Sequence, residues 1–307
     1  MKQTKTIKES LQTEFDTLQA KFKTVSIHHL HELQTEIQSW QHNGFITKKF
    51  HEQHYSLFIF QPPKTLHDAR SIIVIGIPQK TIPVEFFYHE KRFQTRIPPT
   101  YIFAEVRAAC TDILSKVLGE QGYSVERAIL PMKLLSVRSG LGKYGKNNLC
   151  YVDGMGSYAR LEAFYTDYEF PTDDWTEKEL MKSCTSCSLC QQACPTHCIP
   201  QDRILIHADQ CLTHFNENDG DFPAVIPEKS HNALIGCLHC QIACPQNKKY
   251  FGYHQDTVTF TEEEMACILQ KTPKEQIPET LAKKLMYLNL YDDYSHLERN
   301  FVVLMRK

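Results

Sequence analysis

The chain alternates between stretches with a helical spacing of apolar residues and short runs of continuous or alternating hydrophobicity. Residues 1 to about 40 read as helices: "SLQTEFDTLQAKF" has a mixed apolar period, and "IHHLHELQTEIQSW" continues it. "SLFIF" and "DARSIIVIGIP" follow, the second a buried strand bounded by Pro78. The clearest amphipathic helix lies in "YIFAEVRAACTDILSKVLGEQGYSV". There Phe103, Val106, Cys110, Ile113, Leu114, Val117 and Leu118 keep helical spacing, and Gly119 or Gly122 ends it. "ERAIL" and "NNLCYVDGMGSYARLEAFYTD" read as extended, the latter as a hairpin turning on "GMG". After Tyr250 the pattern predicts two or three short helices, broken at Pro273 and Pro278.

Strands mixed with helices over the first part of the chain predict an α+β protein with an N-terminal α/β domain. The acidic, Pro-containing "EFPTDDWTEKELMKS" precedes a cysteine-rich region. The expected organisation is therefore three segments: 1–175, a ferredoxin-like domain at 176–250, and a short helical segment at 251–307.

The 307 residues suit about two domains. The composition, 42% hydrophobic and 23% charged, is that of a soluble globular chain. "SIIVIGIP" is too short to cross a bilayer, and the polar N-terminus has no signal-peptide pattern, so a cytoplasmic protein with no membrane partner is expected. A formal charge of −2 gives no global attraction to nucleic acid; "KRFQTR" and "KYGKNN" are only local basic spots.

Twelve cysteines change the picture, because nine of them lie between Cys184 and Cys244. In a large cytosolic chain, two-residue gaps between cysteines point to metal ligation rather than disulfides. "SCTSCSLCQQACPTHC" supplies Cys184, Cys187, Cys190 and Cys194, with Pro195 next, which is the C-x2-C-x2-C-x3-C-P run of bacterial ferredoxins. "GCLHCQIACPQN" supplies Cys237, Cys240 and Cys244 with Pro245, but Leu234 stands where a first cysteine would fall.

Two 4Fe–4S clusters follow from this truncated repeat. Because the fourth cysteine of such a run ligates the other cluster, Cys184, Cys187 and Cys190 pair with Cys244. Cys194 joins Cys237 and Cys240 on the second cluster, which still lacks a ligand. Cys198 and Cys211 are the two candidates. Cys211, in "HADQCLTHF", is favoured because its linker is free to return over the cluster, leaving Cys198 as a spare buried thiol. A zinc site would use thiolates too, but eight ligands in this interleaved order are not zinc-ribbon spacing. Cys110, Cys150 and Cys267 read as core thiols.

"RSGLGKYGKNN" at 138–148, followed by "GSY" and the double motif, resembles the epoxyqueuosine reductase family. That family carries "GLGWxGKN", then a double 4Fe–4S domain whose second motif lacks its first cysteine. Its "RRC" segment supplies the replacement ligand, in the place of Cys211 within "ADQCL", and "LERNFVVL" resembles the "RN" opening of the family's helical repeats. The resemblance covers roughly residues 65 to 307. It implies a cobalamin-dependent reductase whose N-terminal domain holds the corrinoid and whose clusters deliver electrons from an external low-potential donor of flavodoxin or ferredoxin type. Such clusters reach down to about −700 mV. The family substrate is an epoxide on a modified tRNA base.

By the same resemblance, Gly140, Gly142, Gly145, Lys146 and Asn147 are expected to contact cofactor. The family's "D-x2-P-x2-E" acids are absent: aligned on Pro131, Ala128 stands at the Asp and Leu134 at the Glu. Its "YA-x-G-x-DYH" signature is absent too, with "HEKRFQTRIPPTYIF" in that stretch. Tyr144, Lys133 and Tyr158 are the remaining proton-donor candidates. Two functions follow as alternatives: a reductase acting on epoxyqueuosine or another substrate, or a ferredoxin-type carrier that passes electrons to a corrinoid or redox partner.

Overall fold

The computed structural model describes residues 5–101, 104–250 and 255–306. The N-terminal elements are α1 (Ile7–Thr17), β1 (Lys21–Ser26), α2 (Leu30–His42), β2 (Ser71–Pro78), β3 (Ile82–Tyr88) and β4 (Lys91–Ile97). The middle of the chain forms α3 (Ala104–Leu114), β5 (Val125–Arg127), α4 (Met132–Arg138), β6 (Gly142–Tyr144), β7 (Cys150–Val152) and β8 (Ala159–Thr166). The remainder forms α5 (Leu189–Ala193), α6 (Leu212–Asn216), α7 (His239–Ile242), β9 (Val258–Phe260), α8 (Glu262–Leu269), α9 (Glu279–Tyr287) and α10 (Tyr294–Met305). The mixed helix-and-strand class is as the sequence predicts.

These elements form two units, Met1–Pro78 with Ala104–Cys187, and Gln79–Phe103 with Ser188–Lys307. The grouping is not linear. The stretch 79–103 belongs with the cysteine region and the C-terminal helices, which boundaries at 175 and 250 do not express.

The first unit is built on an antiparallel sheet in the order β1-β2-β8-β5. β2 is buried almost throughout because both of its faces are covered. Ile73, Ile75 and Ile77 meet Leu11 and Phe15 of α1 and Cys110 and Leu114 of α3. On the other face Gly76 lies within van der Waals reach of Leu141 and Val152, so a side chain there would crowd the β6–β7 ribbon. Continuous burial on both faces explains why β2 reads as an unbroken apolar run. The sheet also carries a buried carboxylate: Glu162 on β8 is ringed by Arg160 at 2.9 Å, Arg107 at 3.4 Å and Arg127 at 3.6 Å.

Two expectations for this unit are corrected. The first 40 residues are not all helix, because β1 pairs with β2 from Lys21↔Gly76 to Ser26↔Ser71. "SLFIF" is irregular, with Leu57 and Ile59 exposed and the Ile59 N–H bonded to the Ile129 carbonyl. The chain does turn at "GMG", with Val152 and Gly156 bridged, but β8 then leaves to pair with β2 and β5, and the hairpin is β6–β7 instead. The long helix is present as α3 with a wider turn over Ser115–Gly119, and Gly122 takes φ +86° after it. Phe103, expected on that helix, and residues 1–4 of the first expected helix lie outside the described residues.

The second unit centres on a three-stranded sheet in the order β4-β3-β9, with β9 parallel to β3. Phe86, Phe260 and Phe301 form its middle, with Phe301 edge-on to the other two at 4.9 and 5.5 Å. α8, α9 and α10 are the expected C-terminal helices. On α10, Tyr294, Leu297, Phe301 and Leu304 recur at helical spacing and all face this core. The β3–β4 hairpin turns on His89 and Glu90, both at positive φ. Such turns usually carry Asn or Gly, so the local sequence gave no sign of it.

Replacing Ile73 by Ala, wholly buried in β2, is expected to cost about 2–5 kcal/mol through a cavity. Replacing Leu57, 64% exposed, should change stability by less than about 0.5 kcal/mol. Urea unfolding of the two variants checks the contrast.

Candidate iron–sulfur site

The two cysteine motifs repeat one local fold. In the first copy the N–H groups of Gln191 and Gln192 both bond the Ser188 carbonyl at 3.0 Å, and Cys194 N–H bonds the Gln191 carbonyl at 3.3 Å. In the second, Gln241 and Ile242 bond the Leu238 carbonyl at 3.0 and 2.8 Å, and Cys244 bonds the Gln241 carbonyl at 3.3 Å. The following proline, Pro195 or Pro245, has no N–H to continue either helix. The internal repeat seen in the spacing is thus a repeat of backbone geometry.

Within the second unit, Cys194, Cys198 and Ile199 form a small buried cluster with Cys190, Ile206, Cys211 and Cys240 packed against it. Cys198 is the hub. Its Sγ lies 3.5 Å from that of Cys194, and Cys211 packs against the same cluster. The Cys198 thiol beside them pulls the Cys194 thiol down to about 5 and that of Cys211 to about 7. Cys237 shares the neighbourhood, since it feels the charges of Cys211 and Cys194, but burial pushes its thiol up to about 12. Among the described residues, no three His, Cys, Asp or Glu side chains converge tightly enough to hold a single metal ion. The thiols nonetheless suit an iron–sulfur cluster, whose ligands are spread around a larger body: soft sulfur donors in an apolar pocket.

Position 234, where a first cysteine of the second copy would fall, serves packing instead. Leu234 is wholly buried in the unit's main core, beside Phe301 and Leu297, and its N–H bonds the Arg96 carbonyl at 3.0 Å. Two residues on, Gly236 adopts φ +67°, and a Cβ there would strike the Tyr101 hydroxyl. The Tyr101 hydroxyl in turn hydrogen-bonds Glu217, just past α6.

What brings Cys211 to this motif is a buried polar network that the sequence did not announce. Asn216, on the helix that Cys211 caps, donates to the Gly236 carbonyl at 2.6 Å and contacts His231 Nδ1 at 3.1 Å. Asn300 on α10 donates to the carbonyls of Asn216 and Leu234 at 2.9 and 3.0 Å. Its neighbour Arg299 donates to the carbonyls of Phe215 and Gly220 and stacks over Phe222 at 4.1 Å. The "RN" pair thus clamps the Cys211 linker to the second motif.

In the first unit, Cys184 is buried and Cys187 half-buried. Lys146 donates to the carbonyls of Cys187 at 2.9 Å and Thr185 at 3.3 Å, pinning the loop that carries both thiols. Other expected cofactor contacts in "GLGKYGKNN" make close contacts within this unit. A Cβ on Gly142 would strike Cys150 Sγ at 2.5 Å, and one on Gly145 would strike the Tyr151 ring at 2.5 Å. Gly140 takes φ +67° in the turn after α4, and Asn147 is buried and donates to the Tyr151 hydroxyl at 3.0 Å.

Of the proton-donor candidates, Tyr144 and Tyr158 are buried, and burial pushes the Tyr144 hydroxyl well above the usual phenol range. Lys133 is exposed, with Nζ 3.3 Å from Asn148 Oδ1. Ala128 and Leu134, which stand in place of the missing acids, are both buried.

A cavity of about 850 Å³ also lies beside α10 in the second unit. Its cations are already engaged: Arg299 as above, Lys271 with Glu298 at 3.4 Å and Arg306 with Glu228 at 2.9 Å.

Residues 183–247 match the family model of the 4Fe-4S double cluster binding domain. That stretch is therefore a double-cluster iron–sulfur domain. Over more of its length, the chain is similar to epoxyqueuosine reductases. It is 29% identical over 215 residues to the epoxyqueuosine reductase of Lactococcus garvieae, an alignment covering 67% of this chain and 58% of that one. The chain thus spans less than two thirds of that relative's length. The structure of epoxyqueuosine reductase from Streptococcus thermophilus superposes with TM-score 0.66 at 20% identity, covering 97% of this chain and 80% of that one. An epoxyqueuosine reductase solved with a tRNA-Tyr epoxyqueuosine-modified stem loop superposes with TM-score 0.57 at 18% identity, covering 80% and 67%. Among the described residues no helix is long and apolar enough to cross a membrane.

Replacing Asn300 by Ala leaves two buried carbonyls, those of Asn216 and Leu234, without their donor. Each such loss costs about 1–3 kcal/mol. The variant should unfold at lower temperature and retain less iron than the unchanged protein after anaerobic gel filtration; equal iron retention would show that the clamp does not place Cys211.

Proposed function

We propose that the chain is an iron–sulfur oxidoreductase of the epoxyqueuosine reductase type. One 4Fe–4S cluster is held by Cys184, Cys187, Cys190 and Cys244, the other by Cys194, Cys211, Cys237 and Cys240. An external low-potential donor of flavodoxin or ferredoxin type reduces them. The observation that carries this reading is the repeated local fold of the two motifs together with Cys211 packed into the Cys194 pocket.

The electron acceptor is cobalamin, a cofactor that supplies low-potential cobalt chemistry when bound. This part rests on the relationship to the epoxyqueuosine reductases, since Gly142, Gly145, Lys146 and Asn147 serve packing and hydrogen bonding within the first unit. What the chain's own residues supply there is position: Lys146 fixes the Cys184–Cys187 loop, and the two tight glycines let the β6–β7 ribbon close. The substrate is epoxyqueuosine in tRNA or another reducible group.

A second reading has a specific observation in its favour. Ala128 and Leu134 are apolar and buried, so neither donates the proton that a reduced epoxide takes up. On that reading the chain carries electrons to a corrinoid or redox partner and performs no substrate chemistry of its own.

Anaerobic reconstitution should give about eight irons and eight sulfides per chain, four for each cubane. Cys211→Ala should lose or degrade one cluster toward a three-iron form visible by electron paramagnetic resonance. A plateau near half that iron, or stoichiometric zinc in the native protein, overturns the double-cluster reading.

Cobalamin should change its visible spectrum on titration with the reconstituted protein at tens of micromolar or below. No binding in that range moves the electron-carrier reading to first place.

A further inference from the structure

Cys198 remains unused by the proposed ligand set. It is 1% exposed, its sulfur lies 3.5 Å from Cys194 Sγ, and Cys211 packs against the same small buried cluster. Cluster ligands are thiolates, which only accept hydrogen bonds. When Cys194 ligates iron, a buried sulfur 3.5 Å away has one role consistent with its surroundings, that of a protonated donor. Thr196 Oγ1, 3.6 Å from Cys194 Sγ, is a second donor on the same ligand.

We propose that Cys198 is a potential-setting residue: its S–H donates to the thiolate ligand Cys194 and raises the reduction potential of the cluster that Cys194 holds. Hydrogen bonds to cluster sulfur are among the factors that set iron–sulfur potentials. The direction follows from charge. Taking up one electron adds negative charge that spreads onto the ligand sulfurs, and a donor aimed at them stabilises the reduced form more than the oxidised form. Position decides which cluster responds. Cys198 follows Cys194 by one turn, so its effect falls on the cluster of Cys194, Cys211, Cys237 and Cys240.

The inference rests on the two-cluster reading, and the test separates the two. The reconstituted full chain is compared with Cys198→Ala and Cys198→Ser by iron analysis and by a dithionite titration followed by electron paramagnetic resonance. In Cys198→Ala both clusters should remain, one with its potential unchanged. The other should show a three- to tenfold lower ratio of reduced to oxidised form at fixed potential, about 30–60 mV for a one-electron couple. Cys198→Ser keeps a donor in place, so its potential should lie between those of Cys198→Ala and the unchanged protein, or near the latter.

A full iron content with both potentials unmoved in Cys198→Ala overturns this inference and leaves the cluster reading intact. Loss of a cluster in Cys198→Ala makes Cys198 a ligand and also overturns it. An unchanged protein that cannot hold both clusters overturns the cluster reading, and this inference with it.

Discussion

The two amide hydrogens of Asn300 hold the second unit's iron–sulfur geometry together. One reaches the Asn216 carbonyl at the end of the helix that begins at Cys211, and the other reaches the Leu234 carbonyl at the start of the second motif. Two segments about 20 residues apart in sequence are thereby held to a third near the C-terminus. All three polar groups are buried, where an unpaired carbonyl is costly and a satisfied one fixes a unique arrangement. The aromatic core beneath, with Phe301 one residue away against Phe86 and Phe260, gives α10 the rigidity to act as that anchor.

This anchor explains how a truncated motif can still bind metal. A ferredoxin run places its thiolates by local spacing alone. With Leu234 buried in the core, the fourth thiolate of the proposed second cluster comes from a linker, and a linker needs tertiary contacts to hold it. The Asn216, Arg299 and Asn300 contacts provide these, and Tyr101, packed under Gly236 and bonded to Glu217, closes the same region. The first motif lost nothing and needs less support; one ammonium, Lys146, on the carbonyls of its loop is what the first unit supplies.

Legibility from sequence followed the range of the interactions. β2 was legible because burial on both faces leaves an uninterrupted apolar run, and α10 because Tyr294, Leu297, Phe301 and Leu304 keep a helical period. The cysteine motifs were legible because their chemistry is written in spacings of two and three residues. β1 was hidden because "KFKTVS" shows only weak alternation beside strongly helical flanks, and its strand state is set by pairing with β2. The β3–β4 hairpin was hidden because His89 and Glu90 fill a turn that usually advertises itself with glycine or asparagine. Asn216 and Asn300 carry no local signature; only the folded chain brings them together. Cys198 reads as a spare thiol because sequence shows its distance along the chain from Cys194 but not that the two sulfurs lie 3.5 Å apart.

The same contrast bears on the chemistry. An iron–sulfur wire depends on eight thiolates and the scaffold that spaces them, so most single changes to it are destructive. A catalytic carboxylate depends on one side chain, and its loss can be absorbed by packing. Both outcomes are present here. The cysteines and the clamp that serves them are intact, whereas Ala128 and Leu134 have been taken into the interior of the first unit, Ala128 with its N–H bonded to the Ala163 carbonyl on β8 at 2.9 Å. Restoring a carboxylate at either position would bury a charge, so the loss is built into the packing of that unit. On the proposed reading as a reductase, the proton would come from some group other than a side chain at 128 or 134, since both are buried and apolar.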